Sequence, residues 1–180
     1  MKETADSPLV LTSLLHGDKV RILFVCLGNI CRSPAAEGVM RAMVDNAGLT
    51  DKYELDSAGT YAGHSGELPD KRMRVHAARR GYALTHRARQ VRSADFADFD
   101  IIVAMDDSNY DNLRHLAPSP EDEQKIVRMI DFCRLHPYYY SVPDPYYEGA
   151  SGFELVLDLL EDACADLLDA TRPRICGNKD

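Results

Sequence analysis

VRILFVCLGNICRSPAAEGVM, residues 20–40, joins a buried strand to a helix through one short loop. Val20 to Cys26 is β-branched and apolar except at Arg21, the pattern of a strand covered on both faces. Ser33-Pro34 reads as the opening of a helix. Serine suits the N-cap, and proline the first turn, where its missing N–H has no partner to lose. Ala36, Val39, Met40, Met43 and Ala47 follow at helical spacing, and Gly48 stops the run.

The same alternation continues outward. Tyr53 to Gly59 is a second strand, and Asp70 to Arg80 a helix closed by Gly81. Asp100 to Asp106 is a third buried strand, Ser108 to Leu116 a short helix, and Lys125 to Phe132 a fourth strand. Ser151 and Glu154 fit the S-x-x-E capping box of a last helix. Its apolar stripe runs through Phe153, Val156, Leu157, Leu160, Cys164, Leu167 and Leu168, and Pro173 ends it. Strands alternating with helices predict an α/β sheet with helices on both faces. No repeat and no linker divides it. The expected domain is 19–171, with an N-terminal extension at 1–18 and a C-terminal tail at 172–180.

The composition excludes several classes. The 180 residues are 45% hydrophobic with a net charge of −8, which rules out a wholly disordered chain. The longest apolar run is the six residues from Ile22 to Leu27, against the ~20 a membrane span needs, so no membrane insertion is expected. The first residues do not form a secretory signal. Five cysteines, an odd number without even spacing, do not read as a disulfide framework, and a cytoplasmic location is expected. The acidity argues against nucleic acid as a partner. Eight bases and no acid fall between Lys71 and Arg92, and eight acids and no base between Asp144 and Asp169. These stretches are either two solvated helix faces or a basic rim that attracts an anionic partner, and charge counting does not separate the two.

Ligands of open α/β sheets bind where strands end and helices begin. Here that junction reads Cys26-Leu27-Gly28-Asn29-Ile30-Cys31-Arg32-Ser33-Pro34. Gly28 allows a tight backbone, loop N–H groups can turn inward, and the helix N-terminus adds partial positive charge. Such a loop cradles a tetrahedral oxyanion, with Arg32 able to grip two oxygens. The same field favours a thiolate at Cys26 and makes it a nucleophile. A lone cysteine at a strand end is usually inert. C-x5-R-S between a buried strand and a Pro-led helix is far more specific. No Gly-Lys-Ser/Thr follows, which excludes a Walker loop. Cys26 and Cys31 lack a second ligand pair for zinc. Phosphate-ester cleavage also needs a proton donor for the leaving oxygen. Asp144 is the candidate, held between Pro143 and Pro145 beside Tyr146 and Tyr147, whose rings can wall a pocket for a flat group. Alone, this stretch reads as a Pro-rich turn.

Together these segments resemble the low-molecular-weight protein tyrosine phosphatase family over about residues 20–170. The motifs are CLGNICRSP at 26–34, DSAGT at 56–60, HRARQV at 86–91, AMDDSN at 104–109 and DPYY at 144–147. The resemblance implies a single α/β domain with a four-stranded parallel sheet of order 2-1-3-4 and no metal or other cofactor. It implies Cys26 as nucleophile, Arg32 as phosphate clamp and Asp144 as general acid and base. Leu27, Gly28, Asn29, Ile30, Cys31 and Ser33 then contact substrate, with Tyr146 and Tyr147 as pocket walls. Asn29, Ser33, Ser57 and His86 brace the loop, and Cys31 captures an oxidised Cys26 as a disulfide. On its own His86 reads as a surface histidine, and Asp106 as a helix-opening carboxylate before a site residue.

The chain departs from the family between Tyr61 and Leu68, which holds no tryptophan; Tyr61 and His64 are the residues available to replace it. The implied partners are tyrosine-phosphorylated proteins and a tyrosine kinase. Three rivals remain. A protein-arginine phosphatase of the same fold carries threonines where Leu27 and Ile30 stand here. An arsenate reductase needs resolving cysteines in mid-chain, and none lies between Cys31 and Cys133. A non-catalytic phosphotyrosine-binding module has no use for Cys26 or Asp144, and both are present.

Overall fold

A computed structural model describes residues 8–176. In chain order these form α1 (Pro8–Leu14), β1 (Val20–Cys26), α2 (Arg32–Asn46), β2 (Tyr53–Gly59), α3 (Lys71–Arg79) and α4 (Asp95–Asp98). Then come β3 (Ile101–Ala104), α5 (Asp107–Leu116), α6 (Pro120–Glu123), β4 (Ile126–Arg128) and α7 (Ala150–Cys176). The four strands are parallel and ordered β2-β1-β3-β4, as expected from the sequence. β1 runs in full register with β2, from Val20 opposite Tyr53 to Cys26 opposite Gly59.

The period-2 geometry of a strand sorts the central residues between two cores. Ile22, Phe24 and Cys26 of β1, with Ile101 and Val103 of β3, face a layer containing Val39 and Met40 of α2 and Leu157 and Leu160 of α7. Leu23 and Val25, with Ile102 and Ala104, face Phe96 of α4 and Leu113 of α5. A buried side chain of this size stabilises by roughly 1.5–3 kcal/mol, so β1, buried on both faces, is strongly held. Residues 8–15 of the expected N-terminal extension include α1. Its Leu11 and Leu14, with Leu15, join the core on the α7 side. Among the described residues no helix is long and apolar enough to cross a membrane.

Four local expectations fail, each for a physical reason. Helix α2 starts at Arg32 with Cys31 as N-cap, so Ser33 is not its cap. The Ser33 hydroxyl is drawn into the preceding loop, where Cys26 and Asn29 hold it. Ser151 lies inside α7, and no capping box forms there. Glu154 turns away to pair with His76 and Arg80 of the α3 region, a stronger, charged set of partners. Pro173 does not end α7, which runs to Cys176. The carbonyl that loses its donor to this proline belongs to Asp169, an exposed residue on the solvent side of the helix, where an unpaired carbonyl costs little. The fourth strand is shorter than expected, because the chain tightens into a 3₁₀ turn at Met129–Phe132.

The two charged stretches meet. Arg80 pairs with Glu154, with Asp158 at 2.9 Å and with Glu161 at 3.1 Å, while His76 stacks on Phe153 with ring centroids 5.6 Å apart. Basic α3 therefore docks on acidic α7, and that part of the charge serves packing.

Candidate active site

Cys26 ends β1 in the middle of the sheet, only 2% exposed. Its Sγ lies 3.0 Å from the Ser33 hydroxyl, which is placed to donate to a thiolate. The loop that follows turns on Asn29, whose φ of 57° is left-handed, a region that asparagine tolerates better than most residues. The backbone N–H groups of Gly28, Asn29, Ile30 and Cys31 donate to no protein acceptor among the described residues. Such orphan donors, at the start of a 15-residue helix, form an anion cradle.

Asn29 is the keystone of the loop. Its amide nitrogen donates to the Ser33 hydroxyl at 2.8 Å and the Ser57 hydroxyl at 3.0 Å. Its oxygen lies 2.9 Å from His86 Nε2 and accepts from the Arg89 backbone at 3.0 Å. The structure thus brings together Asn29, Ser33, Ser57 and His86, four residues scattered over more than 50 positions. It adds two that sequence reading missed. The Ser57 hydroxyl donates to Glu37 Oε1 at 2.9 Å, and His86 Nδ1 lies 3.4 Å from both Glu37 and Asp56. Asp56 opens the DSAGT stretch at 56–60, and Glu37 offers only a carboxylate four residues from Ser33 and from Arg41 on α2. Its meaning depends on which loop passes over it.

Arg32 is 2% exposed. Its Nη1 donates to Asp106 at 2.7 Å and to the Val142 carbonyl at 3.1 Å. Asp106 does both jobs considered for it: it caps α5 in a capping box with Asn109 and also orients Arg32. Arg32 Nη2 lies 3.6 Å from Asp144, whose Oδ1 accepts the Tyr146 N–H at 3.0 Å. That local turn fixes the carboxylate on the pocket wall.

These groups surround a pocket of about 230 Å³ lined by Cys26, Leu27, Gly28, Ile30, Cys31, Arg32, Tyr61, His64, Asp144, Tyr146 and Tyr147. Cys26, Ile30, Cys31 and Arg32 form its buried floor, and Leu27, Tyr61, Tyr146 and Tyr147 its exposed rim. The Tyr146 and Tyr147 rings meet edge to face, 4.9 Å apart. Burial pushes the Cys31 thiol well above the usual range, helped by the nearby Asp70 carboxylate. The thiols of Cys26, Cys31 and Cys164 are in no disulfide. A larger open groove of about 470 Å³ lies at the opposite, amino edge of the sheet between Arg21, Glu54 and Asp100. Arg21 is paired there with Glu54, and Arg89 with Asp56 and Asp95, and the lining has no nucleophilic thiol or hydroxyl.

Residues 21–174 match the family model of low molecular weight phosphotyrosine protein phosphatases. A Streptomyces coelicolor low molecular weight protein-tyrosine-phosphatase is 45% identical over 159 residues, 87% of this chain and 96% of that protein. The crystal structure of a protein tyrosine phosphatase from Entamoeba histolytica superposes with a TM-score of 0.81 at 50% identity, covering 84% of this chain and 96% of that one. A Drosophila arginine phosphatase superposes with a TM-score of 0.76 at 32% identity, covering 82% of this chain and 95% of that one.

Proposed function

The chain belongs to the low molecular weight phosphotyrosine protein phosphatase family, and on that premise we propose how its residues divide the hydrolysis of phosphotyrosine. The carrying observation is one buried cysteine between orphan loop N–H donors, a clamped arginine and a facing carboxylate. Cys26 Sγ attacks phosphorus in line, forming the S–P bond as the P–O bond to the tyrosine ring breaks. Ser33 steadies the thiolate at 3.0 Å. Asp106 and Val142 hold Arg32 Nη1, which leaves Nε and Nη2 to meet two phosphate oxygens as charge spreads over them. Asp144 gives its proton to the departing phenolic oxygen. The resulting carboxylate then takes a proton from water, whose oxygen displaces Cys26 and releases phosphate.

The walls support the choice of phosphotyrosine. Leu27, Ile30, Tyr61 and Tyr146 offer apolar and aromatic surface to a phenyl ring. A guanidinium in the same place leaves donors unpaired, at about 1–3 kcal/mol each. The substrates are phosphoproteins, and a tyrosine kinase acting on the same proteins is their source. We take 19–171 as the catalytic unit and the flanking segments as additions, of which 1–7 and 177–180 lie outside the described residues. A cytoplasmic setting suits chemistry that needs free thiols.

The test is Cys26→Ser beside Asp144→Asn. Cys26→Ser is expected to lose para-nitrophenyl phosphate turnover to below about 1% while still binding vanadate. Asp144→Asn is expected to lose most activity on poorly leaving phenols and least on activated ones. An equal loss across the leaving-group series removes Asp144 from the acid role, and residual turnover by Cys26→Ser above that level removes Cys26.

A further inference from the structure

Ten large apolar side chains are exposed among the described residues, and eight of them lie on the pocket rim or on the segment that leads to Asp144. Leu27, Tyr61, Tyr146 and Tyr147 line the pocket. Leu135, Tyr138, Tyr139 and Tyr140 come just before it in the chain. Leu135 and Tyr140 are each 79% exposed, and Tyr138 is 89% exposed. Single apolar residues scattered over a surface need no explanation, whereas a concentration of them marks a contact surface.

The segment is tied at both ends. Asp162 of α7 accepts the backbone N–H groups of Arg134 at 3.2 Å and Leu135 at 2.9 Å, and its Oδ2 lies 2.8 Å from His136 Nδ1. The Tyr139 N–H closes a turn on the His136 carbonyl at 3.3 Å. Farther on, the Val142 N–H donates to the Met105 carbonyl at 2.9 Å, and the Val142 carbonyl receives Arg32. Tyr138 and Tyr140 are therefore presented to solvent from a braced turn. Rings with two rotatable bonds on a fixed backbone lose little entropy when a partner covers them. Tyr140 stands two residues from Val142 and Tyr138 four, so at most about 7 Å and 14 Å of chain separate them from the residue that holds Arg32. The pocket, at about 230 Å³, is small for anything beyond one phosphorylated side chain, so the residues flanking that side chain lie over the rim. An extended peptide covers about 3.3 Å per residue, which brings roughly the second to fifth flanking positions to this turn.

Resting on the phosphatase reading, we propose that Leu135, Tyr138 and Tyr140 form a docking surface for the polypeptide that carries the phosphotyrosine, and that they receive apolar side chains flanking it. The surface continues along the chain into the pocket wall at Tyr146 and Tyr147. Between Leu135 and Tyr140 there is no Lys, Arg, Asp or Glu, and His136 is turned to Asp162, so a charged flanking residue finds no ion partner there. The surface contributes binding and takes no part in phosphoryl transfer, so it acts on the KM of peptide substrates.

The experiment gives the full-length chain three substrates: para-nitrophenyl phosphate, a phosphotyrosine peptide with leucines on both flanks, and the same peptide with serines in their place. The unmodified chain is expected to favour the leucine peptide by about fivefold or more in kcat/KM, through KM. Leu135→Ser, Tyr138→Ser and Tyr140→Ser together are expected to bring that preference below about twofold and to leave para-nitrophenyl phosphate turnover within about twofold. Equal kinetics of the unmodified chain on the two peptides, a preference that survives the three changes, or an equal fall on all three substrates overturns the docking surface and leaves the phosphatase reading intact. Absence of turnover of every substrate by the unmodified chain removes that reading, and the surface with it. Tyr138→Ser alone decides the matter if the triple variant does not fold, an undiminished preference overturning the surface. Sedimentation covers the other occupant: a dimer that the three serines dissolve assigns the patch to a second copy and overturns the proposal.

Discussion

Replacing Asn29 tests whether one side chain holds the phosphate loop. Asn29→Ala removes four hydrogen bonds: to Ser33 at 2.8 Å, to Ser57 at 3.0 Å, from His86 at 2.9 Å and from the Arg89 backbone at 3.0 Å. At roughly 0.5–1.5 kcal/mol net for each, the sum is about 4 kcal/mol, raised by any buried partner left without water. The backbone adds to this. At φ 57° alanine is strained by about 1–2 kcal/mol, whereas glycine is not. Asn29→Gly loses the same hydrogen bonds but keeps a relaxed backbone, set against its looser unfolded chain at about 0.4–1 kcal/mol. Glycine is therefore expected to retain roughly 0.5–1 kcal/mol more stability than alanine. Urea denaturation measures both variants, and turnover of para-nitrophenyl phosphate measures the loop. Because Arg32 and the loop N–H groups follow Asn29 directly, a displacement of about 1 Å is expected to lower kcat/KM by about a hundredfold in both variants. A destabilisation of Asn29→Ala below about 1 kcal/mol, or alanine more stable than glycine, refutes the keystone argument.

Three further outcomes are expected. Cys31→Ser keeps its turnover but recovers less activity with thiol after peroxide, since burial holds Cys31 as a thiol until an oxidised Cys26 sits beside it; equal recovery counts against a trapping role. Ile30→Thr, on the pocket floor, raises kcat/KM for phosphoarginine peptides relative to phosphotyrosine peptides, and an unmodified enzyme that prefers phosphoarginine reverses the specificity assignment. Glu154→Gln weakens the docking of α3 on α7. The His76 hydrogen bond first, and then Arg80, hold the Glu154 carboxyl below its ordinary 4.5, so its contribution is present above that pH and is lost as pH falls through the depressed value. Unfolding free energies from urea titration are expected to differ by about 0.5–1 kcal/mol at pH 7, the scale of a partly exposed pair, and to converge in acid; a gap that widens toward pH 3 has the wrong sign.

The fold was legible because its signals are local and agree. Val20 to Cys26 could only be a buried strand, and the register of Cys26 against Gly59 follows once two such strands lie parallel. The position of the candidate nucleophile was legible for the same reason: a cysteine, five residues and an arginine between strand and helix occupy one continuous segment. Caps and ends were less so. Ser33 has the right chemistry for an N-cap and Ser151 the right spacing for a capping box. In each case a partner distant in sequence competes successfully with the local use, Cys26 and Asn29 for Ser33, and His76 and Arg80 for Glu154.

What the sequence determined by itself was the α/β class, the strand order carried by the family resemblance, and the short segments that bear the chemistry. Hydrophobic period and loop chemistry act between neighbours along the chain, and neighbours can be read in order. Only the tertiary structure decided that Glu37 and Asp56 share His86, that Asp106 aims Arg32, and that the basic and acidic stretches face each other across α3 and α7. A charged side chain takes whichever opposite charge or hydrogen-bond partner the packed helices bring within about 3 Å, and that choice is made only when the sheet closes its two cores.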